Sequence, residues 1–144
     1  MTRIPGTTTI PLADEKACYV LFHQPTMGLV RAAEGLLSAA LAGWAVKNFR
    51  VTVAAEVAVS ELVGEAVCGM RAAGRADELE VAIRLIHRQD GRYVRIEIFD
   101  KVPARHAHRA GSADFADLDL PNTAFGRHSM DDGSWTWAEI NLDR

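Results

Sequence analysis

Three carboxylates are spaced so that they could do chemistry. Glu61 and Glu65 lie four residues apart in VAVSELVGEAV (57–67). At about 100° per residue a helix carries them on one face, one turn apart, with Ser60 and Gly64 interleaved. Asp100 closes the run VRIEIFD, where a strand is expected to end. Carboxylates placed in this way hold a divalent cation through oxygen ligands or serve as a general base. A solvated helix face is the more usual fate of Glu and the reading that the residues alone favour.

Other reactive side chains have weaker patterns. His106 and His108 stand two apart, but no Cys or acidic residue has the spacing to complete a metal site there, so none is expected. His23, His87 and His128 read as ordinary sheet residues. Cys18 and Cys68 fall outside any CxxC spacing and read as buried thiols. No GxSxG elbow, phosphate-binding P-loop or dinucleotide fingerprint occurs, which disfavours those enzyme classes.

The elements that must position these groups follow from periodicity. Residues 1–16 mix Thr, Pro, Gly and charge without a period and read as a lead-in outside the single domain, 17–144. ACYVLFHQ (17–24), ending at Pro25, is a strand pattern, and Thr26 is the expected N-cap of a helix. From Met27 to about Lys47, Leu29, Ala33, Leu37, Leu41 and Trp44 recur at helical spacing. A second helix is expected from about Thr52 to Met70, with Val59, Leu62, Val63, Ala66 and Met70 on one stripe and Gly69 or Gly74 as the stop. From Glu78 the period changes to two: Leu79, Val81, Ile83 and Leu85, a QDGR turn, then Val94, Ile96 and Ile98 make a hairpin. Residues 101–123 read as a long loop. FGRHSM and SWTWAEINL form a second hairpin around Asp131, Asp132 and Gly133. Helices placed before a run of strands imply an α+β two-layer sandwich, with the helices on one face of a mixed, mostly antiparallel sheet whose other face is open.

Composition sets the outer bounds. A chain of 144 residues, 49% hydrophobic and 24% charged, is a globular domain rather than a disordered or fibrous one. A net charge of −3 lacks the basic excess that nucleic acid demands. No apolar run approaches the roughly 20 residues that cross a bilayer, and MTRIPGTTTIPLADEK does not resemble a signal peptide, so a cytoplasmic protein without a membrane partner is expected.

VAVSELVGEAV (57–67), VRIEIFDKVPA (94–104) and GSWTWAEI (133–140), in this order and spacing, resemble the small ATP-binding regulators of the anti-sigma factor serine kinase family. These belong to the histidine kinase-like, Hsp90-like ATPase superfamily, and the similarity runs from about Cys18 to Leu142. In that family the second helix carries SELVTNA. The resemblance places Glu61 at the base that takes a proton from the substrate hydroxyl, and Glu65 where an Asn ligates magnesium. Asp100 stands at the Asp that accepts the adenine amino group, but Lys101, Val102, Pro103 and Ala104 replace the glycines that follow it. The loop is shorter than the family's lid and offers only Gly111 for the phosphate cradle. Trp135 takes the place of an adenine-binding Thr and is shaped to fill that pocket.

Strand alternation adds a second reading of the tryptophans. Trp135 and Trp137 share a face opposite Thr136, Ala138, Ile140 and Leu142, so an aliphatic set facing the helices would put both on the open sheet face as a partner-binding patch; packing in the core is the third option. The resemblance therefore implies a regulator that has weakened or lost nucleotide binding, has no cofactor, and binds a protein of the sigma factor or anti-sigma antagonist type. Phosphoryl transfer depends on holding phosphates and metal, so catalysis is not expected. Two alternatives stand beside it. One is an active ATP-dependent Ser/Thr protein kinase using ATP and Mg, with Glu61 as base. The other is a domain that self-associates as a homodimer through the Trp face.

Overall fold

A computed structural model describes residues 16–23, 26–74, 78–101, 120, 122–130 and 133–143. The order is β1 (Lys16–Phe22), α1 (Gly28–Gly43), α2 (Phe49–Ala72), β2 (Leu79–Arg88), β3 (Gly91–Asp100), β4 (Thr123–Met130) and β5 (Gly133–Asn141). The strands form one sheet in the order β1-β2-β3-β5-β4, and every pairing is antiparallel. The expected mixture of parallel and antiparallel pairs does not occur among the described residues. The connection between β1 and β2 explains why: one crossover helix returns a chain parallel to its first strand, and a second helix reverses it once more. The lead-in up to Glu15 and most of the 101–123 loop, with His106, His108 and Gly111, lie outside the described residues.

Both helices cover one face of the sheet. Leu29, Ala33, Leu37 and Leu41 of α1 are buried at i, i+4 spacing, and Val59, Leu62, Val63, Ala66 and Met70 are buried along α2. They meet Val81, Ile83 and Leu85, then Val94, Ile96 and Ile98, then Ala138, Ile140 and Leu142. Each full burial of such a side chain contributes about 1.5–3 kcal/mol, so this layer is the main source of stability.

Helix ends depart from expectation in physically informative ways. Thr26 does not cap α1; Met27 is the N-cap residue and makes no side-chain capping bond. The helix stops at Gly43, before Lys47, because Ala45 turns left-handed at φ 56° and Val46 N–H donates to the Leu41 carbonyl at 2.9 Å. That is a Schellman-type ending built on alanine. α2 starts earlier than expected because the Asn48 side chain accepts from Arg50 N–H at 2.9 Å and Val51 N–H at 3.4 Å. Cys68 is exposed on α2, against the expectation of two buried thiols, because the helical step turns it away from its buried neighbours Val67 and Gly69. Cys18 is half-buried, and burial raises its thiol pKa.

The hairpin forms as expected, but its two-residue turn is Gln89-Asp90, with Gly91 opening β3 rather than sitting in the turn. Arg88 pairs with Gly91 across the two-residue turn, and Gly91 adopts φ 140°, a conformation open to glycine.

The sheet face away from the helices is not an open polar surface. Arg84, Arg95, Glu97 and Glu139 are all buried there. The register sets Arg84 directly opposite Arg95, a like-charge pair that would be unfavourable alone. Glu97 resolves it, accepting from Arg84 Nη1 at 3.2 Å and from Arg95 Nε at 2.6 Å. Glu139 accepts from Arg95 and, at 2.9 Å and 2.5 Å, from Arg88. The Arg95 guanidinium also lies 5.2 Å and 4.6 Å from the Trp135 and Trp137 rings, in cation–π range.

Candidate functional site

The antiparallel register decides which side chains share the space between sheet and helices. Asp100, the last residue of β3, is paired with Ser134 of β5 and faces the same side as Ile98 and Ile96. Both are buried, Asp100 at 8% and Ser134 at 4% exposure. Among the described residues the Ser134 hydroxyl has no hydrogen-bond partner, which leaves a donor and acceptor beside a buried carboxylate. Thr136 follows on the same face and is also buried.

Trp135 points the other way. It sits in a second, smaller cluster with Ala82 and Phe99, against which Trp137 packs, and its exposure is 8%. An indole filling a pocket beside Asp100 is therefore ruled out by strand alternation. The aliphatic residues of β5 do face the helices, and both tryptophans lie on the opposite face. Trp137 is the more exposed of the two, while Trp135 is held between Arg95 and its own cluster.

Glu61 and Glu65 both belong to α2, and their environments differ. Glu61 is half-buried. Glu65 forms an ion pair with Arg127 of β4, whose register position opposite Thr136 aims it at the helix layer. Burial raises the Glu65 carboxyl above its ordinary value against the pull of Arg127, and the Glu61 charge adds to the rise. From strand spacing and rise, Asp100 lies about 12 Å from Arg127 along the sheet, two strands across and two residues toward the β3 end.

The chemistry of this arrangement is selective. Asp100 with Ser134 can accept and donate hydrogen bonds to a flat, amino-bearing group. Glu65 is a poor magnesium ligand here, because a guanidinium already compensates its charge and a metal would have to displace it. Among the described residues, no group of three His, Cys, Asp or Glu is placed to hold a metal ion. Sequence patterning singled out Asp100, Glu61 and Glu65, and did not single out Ser134 or Arg127, which the fold brings beside two of them. Ser134 had a signal, since it follows Gly133 at the start of a strand; Arg127 had none, because its partner is 62 residues away.

Elsewhere among the described residues, a pocket of about 240 Å³ is lined by Phe49, Arg50, Val53, Ala54 and Leu120, and a smaller one by Leu21, Glu78, Glu80, Phe99 and Lys101.

Fold and site define a two-layer α+β sandwich with a buried acid–hydroxyl pair on the helix-facing side of its sheet. No helix in the described residues is long and apolar enough to cross a membrane. The chain matches no protein-family model and no curated protein sequence.

Proposed function

We propose that this chain is a regulatory domain of the anti-sigma factor serine kinase type that no longer transfers phosphate and acts by binding another protein. The observation that carries this reading is the Glu65–Arg127 ion pair. Glu65 stands where the family's magnesium ligand would be, and Arg127 supplies from within the chain the positive charge a metal would bring. Phosphoryl transfer needs metal and phosphates held in line, so an occupied carboxylate at that point removes most of the means of catalysis even with Glu61 in place.

A second reading has its own support. Asp100 and Ser134 keep a carboxylate and a hydroxyl without a partner among the described residues on the helix-facing side, the pair of groups that base recognition would use. Under this reading the domain binds a nucleotide through its base and without magnesium.

Calorimetric titration with ATP, with and without magnesium, separates the two. The regulatory reading expects no magnesium-dependent binding. Micromolar binding that requires magnesium and disappears in Asp100→Ala would overturn it. Binding that is unaffected by magnesium but lost in Asp100→Ala and Ser134→Ala would favour the second reading.

A further inference from the structure

The helix-facing side of the sheet accepts β5 in more than one position against β3. In the observed register Ser134, Thr136, Ala138 and Ile140 stand opposite Asp100, Ile98, Ile96 and Val94. A slip of one residue would turn every side chain to the opposite face, whereas a slip of two keeps each on its own face and keeps the phase of the hydrogen-bond ladder. That slip would set Thr136, Ala138, Ile140 and Leu142 against the same residues of β3. A hydroxyl would again meet Asp100, and the row would become more apolar as Leu142 enters and Ser134 leaves. Burial of apolar surface therefore does not select the observed register. β4 would follow, because it pairs with β5 from Thr123–Ile140 to Met130–Gly133. The hairpin would slide as a unit by about 7 Å, two residues of strand rise.

The outer face tells the two registers apart. As observed, Glu139 lies opposite Arg95 and forms an ion pair with it, while Trp137 lies opposite Glu97. The slip would put Glu139 directly opposite Glu97, two carboxylates at 8% and 0% exposure. Like charges opposite one another destabilise a strand pair, and burial takes away the water that would screen them. Arg95 would face Asn141 instead, and its contacts with Glu139 and with the two indoles would be lost. On β4 the same displacement would carry Arg127 out of reach of Glu65.

We propose that the buried ladder of Arg84, Arg95, Glu97 and Glu139 is a register selector, which sets Ser134 rather than Thr136 beside Asp100 and holds Arg127 at Glu65. Its charges supply conformational specificity where the apolar layer is degenerate. The device assembles the candidate site from the far side of the sheet and stands apart from the question of what that site binds.

NMR on the full chain reads the register through cross-strand nuclear Overhauser contacts between β3 and β5. The parent is expected to show the pairs Asp100–Ser134 and Ile98–Thr136. Glu139→Arg reverses the preference, since the new guanidinium would face Arg95 in the observed register and Glu97 in the slipped one. Its contacts are expected to move by two residues, to Asp100–Thr136 and Ile98–Ala138. The variant combining Arg84→Met, Arg95→Leu, Glu97→Leu and Glu139→Leu makes the ladder apolar, should melt no lower than the parent, and is expected to show both sets of contacts. It decides the matter if Glu139→Arg does not fold. Parent contacts alone in a folded Glu139→Arg, or in the apolar variant, would overturn the proposal. So would loss of all β3–β5 contacts in the apolar variant, because the ladder would then be needed for pairing itself rather than for its register.

Discussion

Replacing Glu97 by Gln probes the buried charge ladder that holds Trp135 and Trp137 in place. Glu97 is fully buried and accepts from Arg84 Nη1 and Arg95 Nε. Gln keeps the volume and one acceptor but removes the charge. Arg95 retains Glu139 as an ion partner, so the cost falls mainly on Arg84, which is 2% exposed. One buried cation losing its carboxylate costs about 3–5 kcal/mol, against a total stability of about 5–15 kcal/mol for a domain. With a urea slope of about 1–3 kcal/mol per molar, the unfolding midpoint should fall by roughly 2 M. Urea unfolding followed by tryptophan fluorescence reads this directly, since Arg95 lies against both rings. A loss below about 1 kcal/mol would refute the reasoning, because it would mean that water already solvates these guanidiniums. The paired variant Arg84→Met with Glu97→Leu removes both charges and is expected to recover most of the loss.

Two further outcomes follow from the same face of the sheet. A Cβ at Gly126 would overlap the Trp137 indole, so Gly126→Ala should displace that ring, cost about 1–3 kcal/mol and change the near-ultraviolet circular dichroism; an unchanged spectrum would contradict the stacking of Trp137 on β4. Burial alone would raise the Glu139 carboxyl, but hydrogen bonds from Arg88 and Arg95 outweigh it and hold it below its ordinary value of 4.5. The folded protein then takes up that proton less readily than the unfolded chain, so this contribution is present above pH 4.5 and is lost as pH falls through the folded-state value. Glu139→Gln should flatten the acid side of the stability profile, and an unchanged slope below pH 4.5 would count against the ion pairs.

Much of the scaffold was legible because it is written in local periodicity. The stripe from Leu29 to Leu41 and the one from Val59 to Met70 each name their buried face, and the alternation on either side of Asp90 and Gly91 names a hairpin. Asp100 was legible as a strand end for the same reason. The helix ends were less so, because capping depends on backbone angles such as the left-handed turn at Ala45, a residue type that gives no warning of it.

The candidate site was only half visible. Glu65 could be seen on a helix face, but its partner Arg127 belongs to an edge strand, and the pairing exists only because β5 inserts between β3 and β4. Likewise Asp100 meets Ser134 through that inserted strand, and the same register sends Trp135 to the far face.

By itself the sequence determined where helices and strands lie and which side of each is apolar, since those are properties of neighbouring residues along the chain. Strand order and register decided which charges meet: Arg84 and Arg95 with Glu97, and Arg127 with Glu65. Coulomb and hydrogen-bond energies depend on distance through space, and only the folded chain brings residues so far apart in sequence within reach.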